Sequence, residues 1–368
     1  LGSNLSNFDR PEAARFFGKP GPIEASKIAA WLDPWSARRA ESLYLKAFRV
    51  SRVARGAFRF PGSAMDLFPI FADEWRTSLF GKLAMDGVLN VTMFREFARL
   101  SRGGCVLYLW ENQGWEKALI AALREMRKTQ KLQLPRTIGW QHATLPPLDL
   151  RAFPAGPGDI MPDVLAVNGA AASREMLLNG FPTARLRTVS ALRFPHLAGR
   201  NGAHVRPLPV QGRTLLIVGG LNSAETRFQV RLLGAALPAL AHYRRWIVKP
   251  HPYCTGVLLQ EMVLLPIPVE EARRPLAELW PEADVAYCAN STSAAVEAAW
   301  LGLPVVISGA GDGMNLSPLF GWPGLEFASD AETLARQLVS PVRVELPADY
   351  FCLDNGLGTW RELLGECR

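Results

Sequence analysis

A histidine between two prolines, in the run Lys249-Pro250-His251-Pro252, is the first group that could do chemistry. The apolar run before it predicts a strand, so the imidazole is expected at the carboxyl end of that strand, with its backbone fixed by the prolines. A histidine there can hold a phosphate or donate a proton to a departing phosphate. A turn histidine bonded to the backbone is the alternative. Lys249 is a second candidate phosphate contact, unless it points away along the strand.

Hydroxyl side chains cluster 40 residues further along the chain. Asn290, Ser291, Thr292 and Ser293 stand between a predicted strand and a predicted helix. Hydroxyls and free N–H groups in such a position can bind an anion. Helix capping is the alternative, but it needs only one of these hydroxyls. Glu297, on the following helix, is either a ligand contact or a partly exposed carboxylate.

Two glycines follow another predicted strand. Gly219 and Gly220 would let the backbone approach a nucleotide closely, and Asn222 stands beside them. Glu225 and Arg227 open the next predicted helix. They are read either as ligand contacts or as a solvated first turn.

Acidic and histidine side chains also follow strands in the first half of the chain. Glu111 comes directly after the predicted strand 105–110, and His142 follows the next predicted strand. Both could face a cleft at the edge of a sheet. Helix capping near the positive N-terminus is the alternative for Glu111, and a core-edge histidine is the alternative for His142. Glu116 lies inside the following helix and is read as structural.

The elements that must position these residues alternate between short apolar runs and helical periodicities from residue 104 onwards. Such alternation predicts parallel sheets. Residues 194–212 hold three prolines and three glycines and are predicted as a linker, after which the alternation restarts. We therefore predict an α/β protein of two Rossmann-like, doubly wound domains facing a central cleft. The predicted divisions are an N-terminal domain over 1–195, a nucleotide-binding domain over 205–345, and a tail helix within 346–368 that packs back on the first domain.

Two further elements are predicted in the second half of the chain. Residues 264–267 are predicted as a short strand, and residues 350–364 as the tail helix.

The His-Pro motif and the hydroxyl cluster together resemble the donor-binding half of GT-B glycosyltransferases. The resemblance is to the bacterial surface-carbohydrate group that includes CMP-Kdo transferases, CMP-sialic acid transferases and CDP-glycerol polymerases, and it covers about residues 104–365. It implies that His251, Ser291, Thr292 and Ser293 hold the donor phosphate and that Glu297 meets the donor ribose. Residues 110–116 are similar to the Glu-Asn-Gln-x-Trp-Glu stretch of the same group.

The resemblance also implies candidate catalytic residues. With direct displacement, Glu111 is the expected general base for the acceptor hydroxyl, and His142 and His251 complete the predicted catalytic set. In β-Kdo transferases that retain anomeric configuration, a carboxylate near this glycine loop is the nucleophile. Here Gly220 and Asn222 occupy the loop, which departs from that pattern and counts against this mechanism, with Glu225 the only local substitute. The predicted donor-binding residues are Gly219, Gly220, Asn222, Lys249, His251, Pro252, Asn290, Ser291, Thr292, Ser293 and Glu297.

The function predicted from this resemblance is transfer of a sugar, Kdo or a nonulosonic acid, from a CMP-linked donor to a glycan or glycolipid acceptor. The acceptor would belong to a capsule, a lipopolysaccharide or a related glycoconjugate. No Asp-x-Asp motif occurs in the sequence, so metal-independent catalysis is predicted, with no cofactor besides the donor. Two alternatives stay open: a CDP-polyol phosphotransferase, and a non-catalytic protein that binds nucleotide or glycan in a GT-B-like cleft.

Composition limits the remaining function classes. The chain has 368 residues, 49% hydrophobic and 20% charged, which fits about two globular domains. The net charge of +7 favours anionic partners, but the basic residues are dispersed without a nucleic-acid-binding motif, so a nucleic-acid partner is not expected. Five scattered cysteines without a CxxC pair favour a reducing, cytoplasmic location. No apolar run is long enough to cross a bilayer.

Peripheral association with the inner membrane is left open by one segment. Residues 35–59 are basic and aromatic and could lie against a membrane surface. An amphipathic helix packed on its own domain is the alternative, and the favoured one.

Overall fold

The computed structural model of the protein describes residues 65–66, 68–80, 82–100, 103–130, 134–153 and 160–366, with helical residues at 38, 41–46 and 49. Most of the basic and aromatic segment 35–59 lies outside these residues. The chain divides into two compact units. Unit 1 comprises residues 1–139, 155–163 and 364–368, and unit 2 comprises residues 140–154 and 164–363.

Unit 1 is built around two packed helices. Its described elements are α1 (Phe68–Phe80), α2 (Lys82–Leu100), β1 (Cys105–Leu109) and α3 (Gly114–Gln130). Helix α2 packs along α3, where Arg95 donates a hydrogen bond of 2.8 Å to Glu125 and the rings of Phe94 and Trp115 lie 6.4 Å apart. No described helix combines the length and the hydropathy that a bilayer crossing requires.

A four-stranded sheet has the strand order β1-β2-β3-β4. Its further elements are β2 (Arg136–Gln141), β3 (Val164–Val167), α4 (Ala170–Leu178) and β4 (Leu186–Thr188). Strands β3 and β4 run parallel, with Leu165 opposite Leu186. All four residues of β3 are buried, as expected of a parallel strand covered on both faces.

A six-stranded sheet forms the centre of unit 2, in the order β10-β9-β8-β5-β6-β7 with every pair parallel. Counted from β5, this order is 3-2-1-4-5-6, the Rossmann arrangement. Its strands are β5 (Arg213–Val218), β6 (Tyr243–Lys249), β7 (Val269–Glu271), β8 (Val285–Cys288), β9 (Val305–Ser308) and β10 (Phe327–Ala328). The strand order reverses between β5 and β8, and such a switch point is where open α/β sheets bind ligands.

Helices cover both faces of this sheet. They are α5 (Ser223–Ala236), α6 (Thr255–Val263), α7 (Leu276–Leu279), α8 (Ala294–Trp300) and α9 (Ala331–Val339). Successive strand residues enter opposite cores: Leu216 and Val218 pack in one cluster, and Leu215 and Ile217 in the other. The predicted α/β class, with two sheets of parallel strands, is confirmed.

The chain returns to the four-stranded sheet near its end. Ala170 donates its N–H to the Asp349 carbonyl at 3.0 Å, Cys352 donates to Asn168 at 2.7 Å, and Ala191 donates to Cys352 at 2.7 Å. Residues 349–352 are thereby held beside the ends of β3 and β4. The tail helix α10 (Gly358–Gly365) follows.

Two predicted element bounds are wrong. Residues 264–267 form turns, because Leu264 and Leu265 donate their N–H groups back to Glu261 and Met262 at the end of α6, and the edge strand β7 begins only at Val269. The tail helix begins at Gly358 instead of residue 350, because residues 349–352 give their backbone groups to the four-stranded sheet. The predicted division of the chain at residues 195–205 stays a prediction. Phe194 and Leu197, at the beginning of the predicted linker, are fully buried in unit 2.

Candidate functional site

Three of the predicted ligand loops begin side by side at the carboxyl edge of the six-stranded sheet. In register, Val218 of β5 lies opposite Lys249 of β6 on one side and Cys288 of β8 on the other. The pairing continues one residue further, where Gly219 donates to the Lys249 carbonyl at 3.0 Å and Ala289 donates to the Val218 carbonyl at 2.9 Å. The His251 loop and the Ser291 loop therefore flank the glycine loop, about 10 Å apart at two strand spacings.

Both glycines allow other side chains to pack closely against the backbone of this loop. A Cβ on Gly219 would lie 2.8 Å from the Leu258 side chain. A Cβ on Gly220 would lie 2.5 Å from the Glu225 carboxylate and 3.1 Å from the Ala289 Cβ. Any side chain at Gly220 would therefore displace Glu225.

Glu225 ties the β5 loop to the β8 loop. Its carboxylate is buried and accepts hydrogen bonds from the Ser291 N–H at 2.5 Å and the Ser291 hydroxyl at 2.7 Å. The Asn222 side-chain amide also donates to it at 3.3 Å, and the Asn222 oxygen caps the helix by accepting from the Glu225 N–H at 2.8 Å. Ser291 and Asn222, both predicted to bind the donor, hold the loops together in this structure.

His251 is partly exposed and carries one free N–H. Its Nδ1 accepts a hydrogen bond of 3.2 Å from the Tyr253 N–H, and no partner of Nε2 occurs among the described residues. Burial lowers the pKa of His251, the nearby Arg193 guanidinium lowers it further, and the Glu225 carboxylate acts in the opposite sense. A neutral imidazole that accepts at Nδ1 must carry its proton on Nε2, so His251 presents an N–H donor.

Arg193 lies close enough to His251 to affect its pKa, although nothing in the sequence indicated it as a site residue. It lies after β4 and is exposed, and its charge acts on His251. Its guanidinium lies 5.8 Å from the centre of the Phe194 ring. Because Phe194 is fully buried, it fixes the backbone next to Arg193. In the sequence, Arg193 is a basic residue directly before a predicted linker. That position is as typical of a solvent-exposed arginine as of a site residue.

The remaining hydroxyls of the β8 loop are partly exposed. Thr292 Oγ1 accepts a hydrogen bond of 3.3 Å from the Ala294 N–H. The Ser293 hydroxyl makes no hydrogen bond to the described part of the chain, and no side chain caps helix α8 from this position. These two hydroxyls therefore remain able to donate to a ligand.

Asn290 is buried and holds the next loop along the sheet. Its side-chain amide donates to the Ser308 carbonyl at 3.2 Å and to Asn315 Oδ1 at 3.1 Å. Its oxygen accepts from the Leu316 N–H at 2.8 Å. Asn290 thus fixes the position of the loop that follows β9.

Two more of the predicted ligand contacts, Lys249 and Glu297, also have protein partners. The Lys249 ammonium donates to three carbonyls beyond β7, at 3.3 Å to Ala272, 3.5 Å to Arg273 and 2.7 Å to Arg274. The Glu297 carboxylate is buried and lies 2.9 Å from Nε2 of His196. Pro252 is exposed beside His251. Their predicted roles with a donor stay predictions.

Glu111, the predicted general base, lies in unit 1. The Glu111 N–H donates to the Glu116 carboxylate at 2.9 Å, as do the N–H groups of Asn112 at 3.2 Å and Gln113 at 3.0 Å. Burial raises the pKa of Glu116 despite these three donors. Asn112 has a φ of 58°, which lets three successive N–H groups face one carboxylate. Glu116 is thus the structural residue of this loop, and the Glu111 side chain is partly exposed.

His142 lies in unit 2, directly after β2. Its ring lies 6.0 Å from the Trp140 ring in an edge-to-face arrangement. The Trp140 indole also donates to Asn168 at 3.4 Å. Trp140 therefore contacts both His142 and Asn168, the residue that follows β3. In the part of the chain that the structure describes, no group of three or more His, Cys, Asp or Glu side chains could hold a metal ion.

Comparisons with known proteins give structural likenesses only. No family model matches the sequence. No curated protein matches it. Solved structures similar to the chain include UDP-N-acetylglucosamine 2-epimerase from Rickettsia bellii, at 14% identity and a TM-score of 0.48, covering 78% of each chain.

Two further solved structures are similar. The UDP-GlcNAc 2-epimerase from Neisseria meningitidis bound to UDP-GlcNAc has 12% identity and a TM-score of 0.46, covering 81% of this chain and 88% of that one. A variant of the wall teichoic acid polymerase TagF has 12% identity and a TM-score of 0.41, covering 63% and 68%. Likenesses this distant carry no information about what this chain binds.

Proposed function

We propose that the carboxyl edge of the six-stranded sheet binds the phosphate of a nucleotide-linked sugar, and that the protein is a glycosyltransferase that uses this donor. One observation supports the proposal above all. At the switch point of a Rossmann sheet, Gly219 and Gly220 lie between a histidine with a free N–H and a loop with two available hydroxyls. Such a switch point is the usual ligand site of this fold.

The residues would act as fixed donors toward the phosphate. The Nε2–H of His251 and the hydroxyls of Thr292 and Ser293 are neutral donors, and Arg193 supplies positive charge beside them. Donors held in place before the reaction stabilise the charge that develops on a leaving phosphate without reorganisation. Glu225 and Ser291 keep the two loops in register.

The finer assignment is a cytidine donor. The His-Pro and Ser/Thr motifs resemble the group that uses CMP-linked Kdo or nonulosonic acid, so we propose a CMP-linked sugar and a surface-glycan acceptor. Within this proposal Glu111 takes the proton of the acceptor hydroxyl and His142 contributes to the acceptor side. No cofactor besides the donor is proposed.

Calorimetric titration of the purified protein with CMP, CDP, UDP and GDP tests the site. We expect CMP to bind, and His251→Ala to weaken binding at least tenfold. His242→Ala is the matched control, because His242 is also partly exposed but directly precedes the opposite, amino end of β6. Binding of no nucleotide would contradict the donor site, and preference for UDP would contradict the cytidine assignment.

Release of CMP from a CMP-sugar donor tests the transfer reaction. We expect Glu111→Gln to retain CMP binding and to lose turnover, because the amide cannot accept the acceptor proton. Turnover that survives in this variant would exclude Glu111 as the base. A product that retains phosphate would instead identify a phosphotransferase.

A further inference from the structure

A cavity in unit 2 lies at the ends of β2 and β3, and none of the predicted donor-binding side chains lines it. Its walls include Asn168 after β3, Glu175 on helix α4, and Trp322 after β9. The enclosed volume is about 50 Å³, enough for a few water-sized groups. Arg174 and Phe320 line the cavity and are exposed, so it opens to solvent beside them.

Two polar side chains of the cavity make no hydrogen bond and no ion pair within the described ranges. Tyr350 is 5% exposed, and its hydroxyl makes no hydrogen bond there. Glu175 is partly buried, and its carboxylate has neither a hydrogen bond nor an ion pair there. Burial raises the pKa of Glu175 although the neighbouring Arg174 guanidinium opposes that shift, and burial together with the Glu175 charge raises the pKa of Tyr350. Neither the Tyr350 hydroxyl nor the Glu175 carboxylate is fully enclosed by protein, and both residues line the cavity, so both groups can meet a ligand there.

The other walls of the cavity are aromatic. The Trp322 and Tyr350 rings meet edge to face at 5.9 Å, and the Trp322 indole is fixed by donating to the Glu345 carbonyl at 3.2 Å. Phe351 packs against Tyr350 at 4.9 Å. Rigid aromatic faces bind the C–H surface of a ring, while the few polar groups between them fix its orientation.

These groups together favour a polyhydroxylated ligand. An ionised carboxylate accepts hydrogen bonds from ligand hydroxyls, and the Tyr350 hydroxyl can donate or accept. Arg174, exposed at the opening, disfavours a cationic ligand and can donate to further hydroxyls. The enclosed volume takes a hydroxyl or a hydroxymethyl group, while the ring that carries it lies at the opening.

We propose that this cavity is a saccharide subsite in which Glu175 and Tyr350 bind the hydroxyl groups of a sugar ring. Sugar binding in this cavity does not depend on the proposed function. Only the identification of the bound sugar as part of the acceptor glycan rests on the proposed function. The subsite therefore selects the acceptor by hydroxyl pattern, separately from the nucleotide edge of unit 2.

Saturation-transfer NMR with the methyl pyranosides of glucose, galactose and N-acetylglucosamine tests the subsite directly. We expect transfer to at least one of them with the unchanged protein, and a several-fold loss in Tyr350→Phe and Glu175→Gln. Glu278→Gln is the matched control, because Glu278 is exposed on α7 and does not line the cavity. Absence of transfer to all three sugars, or equal transfer in every variant, would overturn the proposal.

Thermal unfolding without ligand separates binding from a structural role. Because neither polar group has a partner in the described chain, we expect Tyr350→Phe and Glu175→Gln to leave the melting temperature unchanged or to raise it. A clear decrease would show that these groups support the fold and would overturn the proposal.

CMP titration of the same two variants separates this inference from the proposed function. We expect both variants to bind CMP as the unchanged protein does. Nucleotide binding without sugar binding would overturn the subsite alone. Sugar binding that depends on Tyr350 and Glu175, without nucleotide binding, would overturn the donor site and leave the subsite standing.

Discussion

The carboxylate of Glu225 lies where an external anion could otherwise bind between the β5 and β8 loops. It accepts from the backbone and the hydroxyl of Ser291, while Gly220 leaves the room that it needs. Hydrogen bonds to a carboxylate are stronger than hydrogen bonds between neutral groups, because the charge of the acceptor assists them. If this edge binds a donor phosphate as proposed, the phosphate must lie outside the contact between Glu225 and Ser291, near His251 and Ser293.

Gly220→Ala tests how closely the glycine and the carboxylate fit. The new Cβ would force Glu225 away from Ser291, so we expect the free energy of unfolding to fall by about 1–3 kcal/mol. Affinity for the nucleotide should fall as well. Urea denaturation and calorimetry measure the two effects.

Gly256→Ala is the control for that substitution. Gly256 lies in helix α6, and a methyl group added there would meet nothing within 4 Å, so alanine should raise the free energy of unfolding by about 0.5–1 kcal/mol. Equal effects at Gly220 and Gly256 would contradict the role given to Gly220.

A double-mutant cycle over Glu225→Ala and Ser291→Ala tests the tie itself. Removing the carboxylate leaves a partly buried N–H without its acceptor, so we expect Glu225→Ala to lower the free energy of unfolding by about 1–3 kcal/mol. Side chains in direct contact couple by about 0.5–3 kcal/mol in such cycles. Additive losses, measured by urea denaturation, would show that the hydroxyl contributes nothing to the tie.

At the scale of elements, the central strands were predictable because they are buried on both faces. Strands β8 and β9 are continuous apolar runs between turn residues, and all eight of their residues are buried. The edge strand β7 is short and mostly exposed, so its residues carry no such signal. The neighbouring residues 264–267 are apolar, as the residues of a buried strand are. In the structure they form a turn that packs beside the core.

Long-range partners of the site residues could not be predicted. Asn222 followed three residues later by Glu225 indicates the beginning of a helix, and the structure has that cap. Nothing in the local pattern shows that the same carboxylate reaches Ser291, 66 residues away. The pairings of Glu297 with His196 and of Lys249 with three carbonyls are of the same kind.

The tail helix α10 is anchored by one tryptophan. Trp360 is 4% exposed, its indole donates to the Ser190 carbonyl at 2.8 Å, and its ring meets Trp140 edge to face at 5.8 Å. Thr359 adds a hydrogen bond of 3.0 Å from the Ser190 N–H to its hydroxyl. The end of the chain thereby holds the segment after β4, which leads directly to Arg193.

Trp360→Ala should lower the free energy of unfolding by about 3–5 kcal/mol, because it removes a large buried ring. Trp360→Phe keeps most of the ring and loses the hydrogen bond, so we expect about 1 kcal/mol. Urea denaturation measures both, and Glu362→Ala on the exposed face of the same helix should change stability by less than about 0.5 kcal/mol. Equal effects of the three substitutions would contradict the anchoring role of Trp360.

At the scale of the whole molecule, several histidines make stability depend on pH in the same direction. Burial lowers the pKa of His204, His242 and His251, and nearby arginines lower each of them further. In the unfolded chain these groups have their ordinary pKa of about 6.5. As the pH falls through that value, the unfolded chain binds protons before the folded protein does.

Stability is therefore expected to fall as the pH decreases from about 7.5 to 5.5, since stability rises with pH wherever the unfolded state binds more protons. Glu116 and Glu175 act in the opposite sense at the acidic end, because their pKa values are raised in the folded protein. The test compares the pH profile of the urea midpoint between the unchanged protein and a triple variant that combines His204→Asn, His242→Asn and His251→Asn. The contribution of the two carboxylates is the same in both proteins and cancels in the difference. The triple variant should lose less stability over this range, and an equal loss would show that these histidines are not the cause.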